Sequence, residues 1–477
     1  MKRILYIILL LPFFSSCGDF LDEVDQDKLV PEKTDHYAAL LLYEFNYNYP
    51  IFRTVDYMTD NVVENASALT SKKFDYKTTY TWQREIEIDE DGNALSRINN
   101  AWEKMYEDVA IANYVIELVD EAIGSKEEND FVKGEAFFIR AFSYFNLLNL
   151  YGQPYDALTA NVDLGVPIRD NIGVEMNYSR NTVAECYEFI EKDILKARDL
   201  ILNSGIEKSV WHPTVIACDL LMSRVMLYQK KWDDAINYAS QVIDETQLGY
   251  MYTHRPFISE DNKEILYSYH NTNPVFPANK SEYRPSLELV NLFSEKDKRR
   301  EVYFTKIDDG TGNIAYGVNK YALNTYTTLG YNNFRTSEVY LNRAEAYAQK
   351  GETENAINDI KQLHAVRYNN VDEITYPAVA EEVLAFVLEE RRKELCFEDH
   401  HRWFDLRRMS DRPEIKHVFT LVSNEGTVLG TETYTLLPDD YNYTLPIPLK
   451  ERENNPLIRN NERFEKIPEV DDVVIIP

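Results

Sequence analysis

Apolar residues recur at helical spacing through most of this chain. Trp102, Met105, Val109, Ala112, Ile116, Val119 and Ile123 advance in steps of three and four with acids on the opposite face, which predicts a helix with one buried stripe. Phe138, Ala141, Phe145 and Leu148 repeat the pattern until Tyr151-Gly152-Gln153-Pro154 stops it. Val183, Tyr187, Ile190, Ile194, Ala197 and Ile201 repeat it again before Gly205. The breaks between these stretches are short, so consecutive helices are expected to lie antiparallel. Trp102, Trp232 and Trp403 fall on such stripes or in a charged run near the C-terminus and are predicted to be core; Trp211, beside His212-Pro213, is expected to cap a helix start.

Two stretches read as helix-turn-helix repeats. Val215, Cys218, Met222 and Val225 lie on one helix, Gln229 to Lys231 form a polar turn, and Trp232, Ala235, Ala239 and Val242 lie on the next. Ala346-Tyr347 and Gly351 precede Ala356, Ile360 and Leu363 in the same way. Small and aromatic residues at this spacing are what a tetratricopeptide-like pair needs for close helix packing; generic amphipathic hairpins are the alternative. Periodicity fades in three segments, about 60–97, 248–334 and 409–477, where Pro, Asn, Tyr and Gly gather. The expected fold class is therefore all-α (mainly α): tetratricopeptide-like helix pairs forming a scaffold, with long irregular loops carrying the ligand site.

The N-terminus has its own logic. Lys2 and Arg3 precede an apolar run from Ile4 to Phe14, too short for a mature membrane span, and the run closes on Ser15-Ser16-Cys17. This reads as a lipoprotein signal peptide over residues 1–16, with Cys17 becoming the lipidated first residue. Residues 17–35 form a lipidated tether and 36–477 a single domain. Acyl chains on Cys17 add roughly 0.8 kcal/mol per buried CH₂, so the expectation is an anchored protein with a folded body outside the bilayer.

Charge and composition narrow the partners. The chain of 477 residues carries a formal net charge of -29, which repels polyanions and argues against nucleic acid. Its 34 tyrosines exceed what a core holds easily, since each phenol wants a polar partner, so some are expected outside and available to ligands. Cys186, Cys218 and Cys396 are read as small buried hydrophobes.

Motifs for catalysis or cofactors are weak. Glu87, Asp89, Asp91 and Gly92 imitate the opening of a calcium loop, but Ile98 stands where a bidentate Glu is required. A polar acidic turn is expected there, a loose calcium site being the alternative, and no cofactor or metal is assigned. Gly310, Gly312 and Ala315 match a dinucleotide fingerprint by letters only and read as a turn. No Gly-x-Ser-x-Gly, His-Glu-x-x-His or phosphate loop is present. A glycosidase carboxylate pair among the 80 acids stays open, since only its spacing in space would show it. His400-His401 lies among Glu394, Glu398, Asp399 and several arginines; adjacent histidines on a helix diverge by about 100°, and a structural role is expected.

The run Glu390-Arg391-Arg392-Lys393-Glu394-Leu395-Cys396-Phe397-Glu398-Asp399-His400-His401-Arg402-Trp403-Phe404-Asp405-Leu406-Arg407-Arg408 resembles the hallmark of the SusD/RagB family of outer-membrane nutrient-binding lipoproteins. It is joined in family order by Arg140-Ala141-Phe142-Ser143-Tyr144-Phe145-Asn146-Leu147-Leu148, Pro285-Ser286 leading to Asp297-Lys298-Arg299-Arg300, Ser337-Glu338-Val339-Tyr340-Leu341 with Arg343-Ala344-Glu345-Ala346, and Leu445-Pro446-Ile447-Pro448 with Asn455-Pro456. The resemblance implies a helical SusD-like scaffold, a SusC/RagA-type TonB-dependent outer-membrane transporter as partner, attachment to the outer membrane through the lipid anchor, and display at the cell surface, for which Asp19, Asp22 and Glu23 are similar to the family's signal. It implies capture of a glycan by a protein that is not an enzyme. A surface glycan hydrolase and a peptide-uptake or adhesin component are the competing functions.

Within the irregular segments Trp82 is the leading ligand candidate, because a planar indole matches the C–H face of a pyranose. Burying roughly 100 Å² gives only about 2.5 kcal/mol at about 25 cal/mol/Å², so neighbours are required. Tyr80, Tyr76, Tyr283 and Tyr331 are the candidate rings, with Asp75 and Arg284 as hydroxyl partners. Core packing is the competing reading for each.

Overall fold

The computed structural model describes residues 31–46, 53–68, 71–86, 88–89, 91–93, 101–172, 177–251, 257–259, 262–269, 282–308, 314–320, 329, 332–423 and 427–471. The fold is mainly α. Among the described residues, ten helices of eight residues or more form its frame: α1 (Thr34–Asn46), α2 (Ala101–Leu118), α3 (Lys126–Tyr151), α4 (Val183–Ser204), α5 (Val215–Tyr228), α6 (Trp232–Glu245), α7 (Thr336–Gln349), α8 (Thr353–Arg367), α9 (Ala380–Glu394) and α10 (His401–Arg408).

The predicted stripes are mostly buried on their helices, while Ile116, Val215 and Trp232, the last expected in the core, are half-buried against it. α3 and α4 begin with capping boxes, Ser125 with Glu128 and Thr182 with Glu185, each satisfying otherwise orphaned N–H groups. α4 ends at Gly205, whose φ of 63° is the left-handed cap that glycine adopts without strain. α3 and α4 approach closely because Gly134 has no side chain: a Cβ there would stand 2.8 Å from Ile201 Cγ1. The α2 stripe runs shorter than its spacing suggests. The helix stops at Leu118, a 3₁₀ turn follows over Val119–Glu121, and Ile123 lies outside it, 68% exposed. Trp211 is not the helix cap; Thr214 accepts from Ala217 N and caps α5.

α2 packs on α3, α3 on α4, and the chain continues antiparallel through α5 and α6. α6 then packs directly on α7, so the intervening residues leave the helical stack and return to it. Both predicted hairpins, α5–α6 and α7–α8, are present, and α9 joins the second. Leu341, Ala344, Ile360, Leu363, Val383 and Val387 form a separate small core there, beside the main one.

The segments read as irregular contain short strands, all antiparallel. β1 (Val62–Glu64) pairs with β3 (Tyr283–Pro285), β2 (Ile265–Tyr269) with β6 (Asn332–Arg335), and β4 (Phe304–Asp308) with β5 (Ile314–Val318). β7 (Ile415–Val422) pairs with β8 (Val428–Leu436), which also pairs with β9 (Glu469–Asp471). The β7–β8 hairpin gives regular structure to part of the segment read as irregular over 409–477: buried Ile415, His417 and Phe419 alternate with exposed Lys416 and Val418 in the period-two pattern of a strand. The first helix starts at Thr34, inside the stretch read as tether.

Candidate functional site

The candidate rings do come together, but they face inward. Pairing of β1 with β3 places Val63 opposite Arg284 and Glu64 opposite Tyr283. Tyr283 contacts Tyr57, Tyr80 and Tyr76 with ring centroids at 4.6, 4.9 and 6.4 Å. The Tyr283 hydroxyl donates to Lys73 O at 2.9 Å, and the Tyr80 hydroxyl accepts from Glu64 N at 3.1 Å. Trp82 is 0% exposed, Tyr80 1% and Tyr283 0%, so none of these rings has a face open to a sugar. The reading of Trp82 as an exposed stacking platform is corrected: it belongs to the core.

His417 of β7 stacks on two of these rings. Its imidazole lies between the rings of Tyr80, at 4.1 Å and 11°, and Trp82, at 4.2 Å and 22°. Nδ1 is 2.7 Å from Tyr80 O and Nε2 is 3.1 Å from Thr59 O. Burial pushes its pKa down to about 4, although both carbonyls favour the protonated ring. Trp82 completes the stack with Nε1 donating to Met58 O at 2.8 Å, and its φ of 53° turns the chain so that the indole enters the core. No sequence period marks this stack, because His417 is 335 residues distant from Trp82 along the chain (417 minus 82).

Of the remaining candidates, Asp75 and Tyr76 are half-buried and Arg284 is 9% exposed; Tyr331 lies outside the described residues. Phe74 is 38% exposed beside Asp75 and meets Phe419 edge to face at 5.8 Å.

Among the described residues one exposed aromatic pair lies on the C-terminal segment. Tyr441 is 57% exposed and Phe464 51%, their rings edge to face at 5.5 Å and 80°. Asn442 fixes both: its Nδ2 donates to Trp82 O and Phe464 O, each at 2.7 Å, and its Oδ1 accepts from Phe464 N at 2.9 Å. Leu437 and Ile467, four and three residues away in sequence, are also exposed, and Asp440 pairs with Lys466. Rings with apolar neighbours and nearby charged groups can stack on one face of a pyranose while binding its hydroxyls. Sequence reading passed over Tyr441, whose run Asp439-Asp440-Tyr441-Asn442-Tyr443 carries a turn signal around an aromatic.

The charged run 390–408 builds a buried ionic frame. Glu394 accepts from Arg367 at 2.8 Å, Arg335 at 3.0 Å and Arg299 at 3.2 Å. Glu264 joins Arg335 and Arg367, Glu398 joins Arg335 and Lys320, and Glu390 joins Arg299 and Lys393. With Asp297 on Arg299 there are five carboxylates and five cations, and the charges balance. Burial alone would raise Glu394 and Glu390, but Arg367 and Arg335 hold the first, and Arg299 and Lys393 the second, well below the usual carboxylate range. Burial likewise pushes His401 well below an ordinary histidine. His400 and His401 are enclosed at 3% and 2% exposure, facing Asp56 and Glu338 respectively.

Among the described residues no group of three or more His, Cys, Asp or Glu could hold a metal ion. In the calcium-like segment Asp89 Oδ1 accepts from Asn93 N at 2.7 Å and Asp91 N at 3.0 Å, closing a polar turn; Glu87 and Ile98 lie outside the described residues. Cys186, Cys218 and Cys396 are free and buried, and Cys17 lies outside the described residues. No helix among the described residues is long and apolar enough to cross a membrane.

The mainly helical fold with its short strand pairs is found in known proteins. A family described as "Starch-binding associating with outer membrane" matches residues 19–227, and the SusD family matches residues 311–464. The chain belongs to the SusD/RagB family. The fold is similar to the crystal structure of a SusD-like carbohydrate binding protein from Bacteroides vulgatus, with a TM-score of 0.69 and 20% identity over 89% of this chain and 97% of that one. A SusD superfamily protein from Bacteroides thetaiotaomicron has a TM-score of 0.69 and 22% identity over 90% and 100% of the two chains. One from Parabacteroides distasonis has a TM-score of 0.64 and 20% identity over 90% and 98%. No curated protein matches the sequence.

Proposed function

We propose that this protein is a non-catalytic, cell-surface lipoprotein that captures an oligo- or polysaccharide and passes it to a TonB-dependent outer-membrane transporter. The observation that carries the reading is the family match in both halves of the chain, on a description that names starch binding and the outer membrane. In this reading the sugar is assigned to the exposed Tyr441–Phe464 pair, whose segment Asn442 ties to Trp82 O and Phe464 O. Half-buried Asp75 and Tyr76, and exposed Phe74, which meets Phe419, are the remaining candidates for ligand contact. Cys17 supplies the anchor in this reading, following two small residues and an apolar run.

Titrating the purified chain with a panel of oligosaccharides and peptides, and assaying the same mixtures for new reducing ends, tests the proposal. Saturable glycan binding without turnover supports it. Reproducible turnover would make the protein a hydrolase, and binding confined to peptides would make it a peptide-uptake component.

A further inference from the structure

Arg169, in the segment joining α3 to α4, carries a guanidinium that donates no hydrogen bond among the described residues. Its backbone is fixed: its N–H donates to the Tyr144 hydroxyl at 2.6 Å, and its carbonyl accepts from Asn113 Nδ2 at 3.0 Å. Its side chain lies over the rings of Tyr106 and Tyr178, 4.6 and 4.9 Å from their centroids. Both rings are held in turn, Tyr106 by donating to Pro167 O at 2.7 Å and Tyr178 through its carbonyl, which accepts from Asn455 Nδ2 at 2.9 Å. Stacking fixes the plane of a guanidinium but uses none of its N–H donors, which point outward within that plane. Nε is enclosed without a partner, and the one carboxylate neighbour, Glu451, has Oε1 3.7 Å from Nη2, beyond hydrogen-bond reach. Glu451 is itself taken by Trp102 Nε1 at 3.3 Å and Asn455 Nδ2 at 3.0 Å. The Arg169 side chain is 31% exposed and Tyr178 is half-buried, so a ligand can reach both.

The ground beneath is positive. Arg180, two residues beyond Tyr178, donates to Gly165 O, Tyr151 O and Asn461 Oδ1 and pairs with no carboxylate among the described residues. Arg407 and Arg463 extend the pattern, donating to Tyr443 O and to Asn442 O and Thr444 O, again without a carboxylate partner. Burial lowers Arg180 and Arg463 to about 10 and Arg407 to about 9, which still leaves each charged at neutral pH. The acids that act on Arg463 are engaged elsewhere: Glu85 pairs with Arg452, Asp440 pairs with Lys466, and Glu465 faces solvent. Asp170, beside Arg169, is exposed and accepts from Asn171. A chain of net charge -29 repels anions on average, and these uncompensated cations make this part of it locally attractive to one.

We propose that Arg169 anchors a uronic-acid residue of the glycan, its planar fork taking the sugar carboxylate beside Tyr178. Two parallel N–H donors match a carboxylate, whereas a sugar hydroxyl can meet only one of them. The choice of a sugar as carrier of that carboxylate rests on the glycan-binding reading above; the site shares no residue with the Tyr441–Phe464 pair.

The test titrates the whole chain calorimetrically with oligogalacturonate, with a neutral galacto-oligosaccharide of equal length and with oligo-aspartate, the melting temperature being read for every variant. The expected result is saturable binding of oligogalacturonate, tighter than that of the neutral sugar and weakening as salt is added. It falls roughly tenfold in Arg169→Gln, falls in part in Arg169→Lys, which keeps the charge and loses the fork, and tightens in Glu451→Gln, which removes the competing carboxylate. An Arg169→Gln protein that binds like wild type, or a Glu451→Gln protein that loses acidic and neutral sugars alike, overturns the site. Oligo-aspartate bound as tightly as the uronate overturns the sugar as carrier. If the neutral sugar binds through Tyr441 and Phe464 and oligogalacturonate binds no better, only the acid anchor falls. If no saccharide binds, the glycan reading falls with it.

Discussion

At Trp82 a single ring decides between two accounts of the same segment. Its indole is enclosed and hydrogen-bonded to Met58 O, so Trp82→Ala is expected to cost about 3–5 kcal/mol of stability and to leave glycan affinity unchanged in protein that remains folded. Denaturant unfolding beside a binding titration checks both. His417, stacked on that ring, gives a pH signature. Its folded pKa is lowered to about 4 against an unfolded value of about 6.5, so between these values the unfolded chain binds the extra proton and stability falls as pH drops. The loss is at most about 3 kcal/mol, and His417→Gln should make the stability profile less steep between about pH 6.5 and 4.5, the remaining slope there including that of buried His401. Glu390 and Glu394, held low by their arginines, act further down: their contribution is complete above about pH 4.5 and is lost as pH falls through their folded values. An unchanged profile in the His417 variant would contradict the burial account.

At the scale of elements, the helices were legible because their burial repeats every three to four residues, as in Val183 to Ile201, and their ends carry capping residues such as Ser125 and Thr182. The close passage of α3 over α4 has a sharp test: Gly134→Leu drives a side chain into Ile201 and Ala197 O and should cost about 1–3 kcal/mol, measured by unfolding. Inward direction of the loop aromatics was not legible. Tyr80, Trp82 and Tyr283 lie on short helices, turns and strands with no period of their own, and their partner His417 is on a strand more than a hundred residues beyond the last of them. The same distance hid Asn442, whose clamp joins Trp82 O to Phe464. The charged run 390–408 could be recognised as scaffold, yet only the structure pairs Glu394 with Arg299, Arg335 and Arg367. Glu394→Gln should cost about 3–5 kcal/mol by leaving buried guanidinium groups short of a charge partner, again read by unfolding.

For the whole molecule, the proposal places the helical frame, the ionic centre and the aromatic surface in one task, holding a glycan at the cell surface. Its anchoring arm is tested separately: Cys17→Ala should move the protein from the membrane fraction to the soluble one without altering its melting temperature. The central claim is binding without turnover at the exposed ring pair. Calorimetric titration of wild type and of the Tyr441→Ala/Phe464→Ala double variant with an oligosaccharide panel, with reducing ends assayed in the same samples, tests it most directly. The expected result is saturable binding by the wild type, weakened by about 2 kcal/mol, near thirtyfold, in a double variant of unchanged stability, with no new reducing ends in either. Equal affinity in the two proteins, or steady release of reducing ends by the wild type, would contradict it.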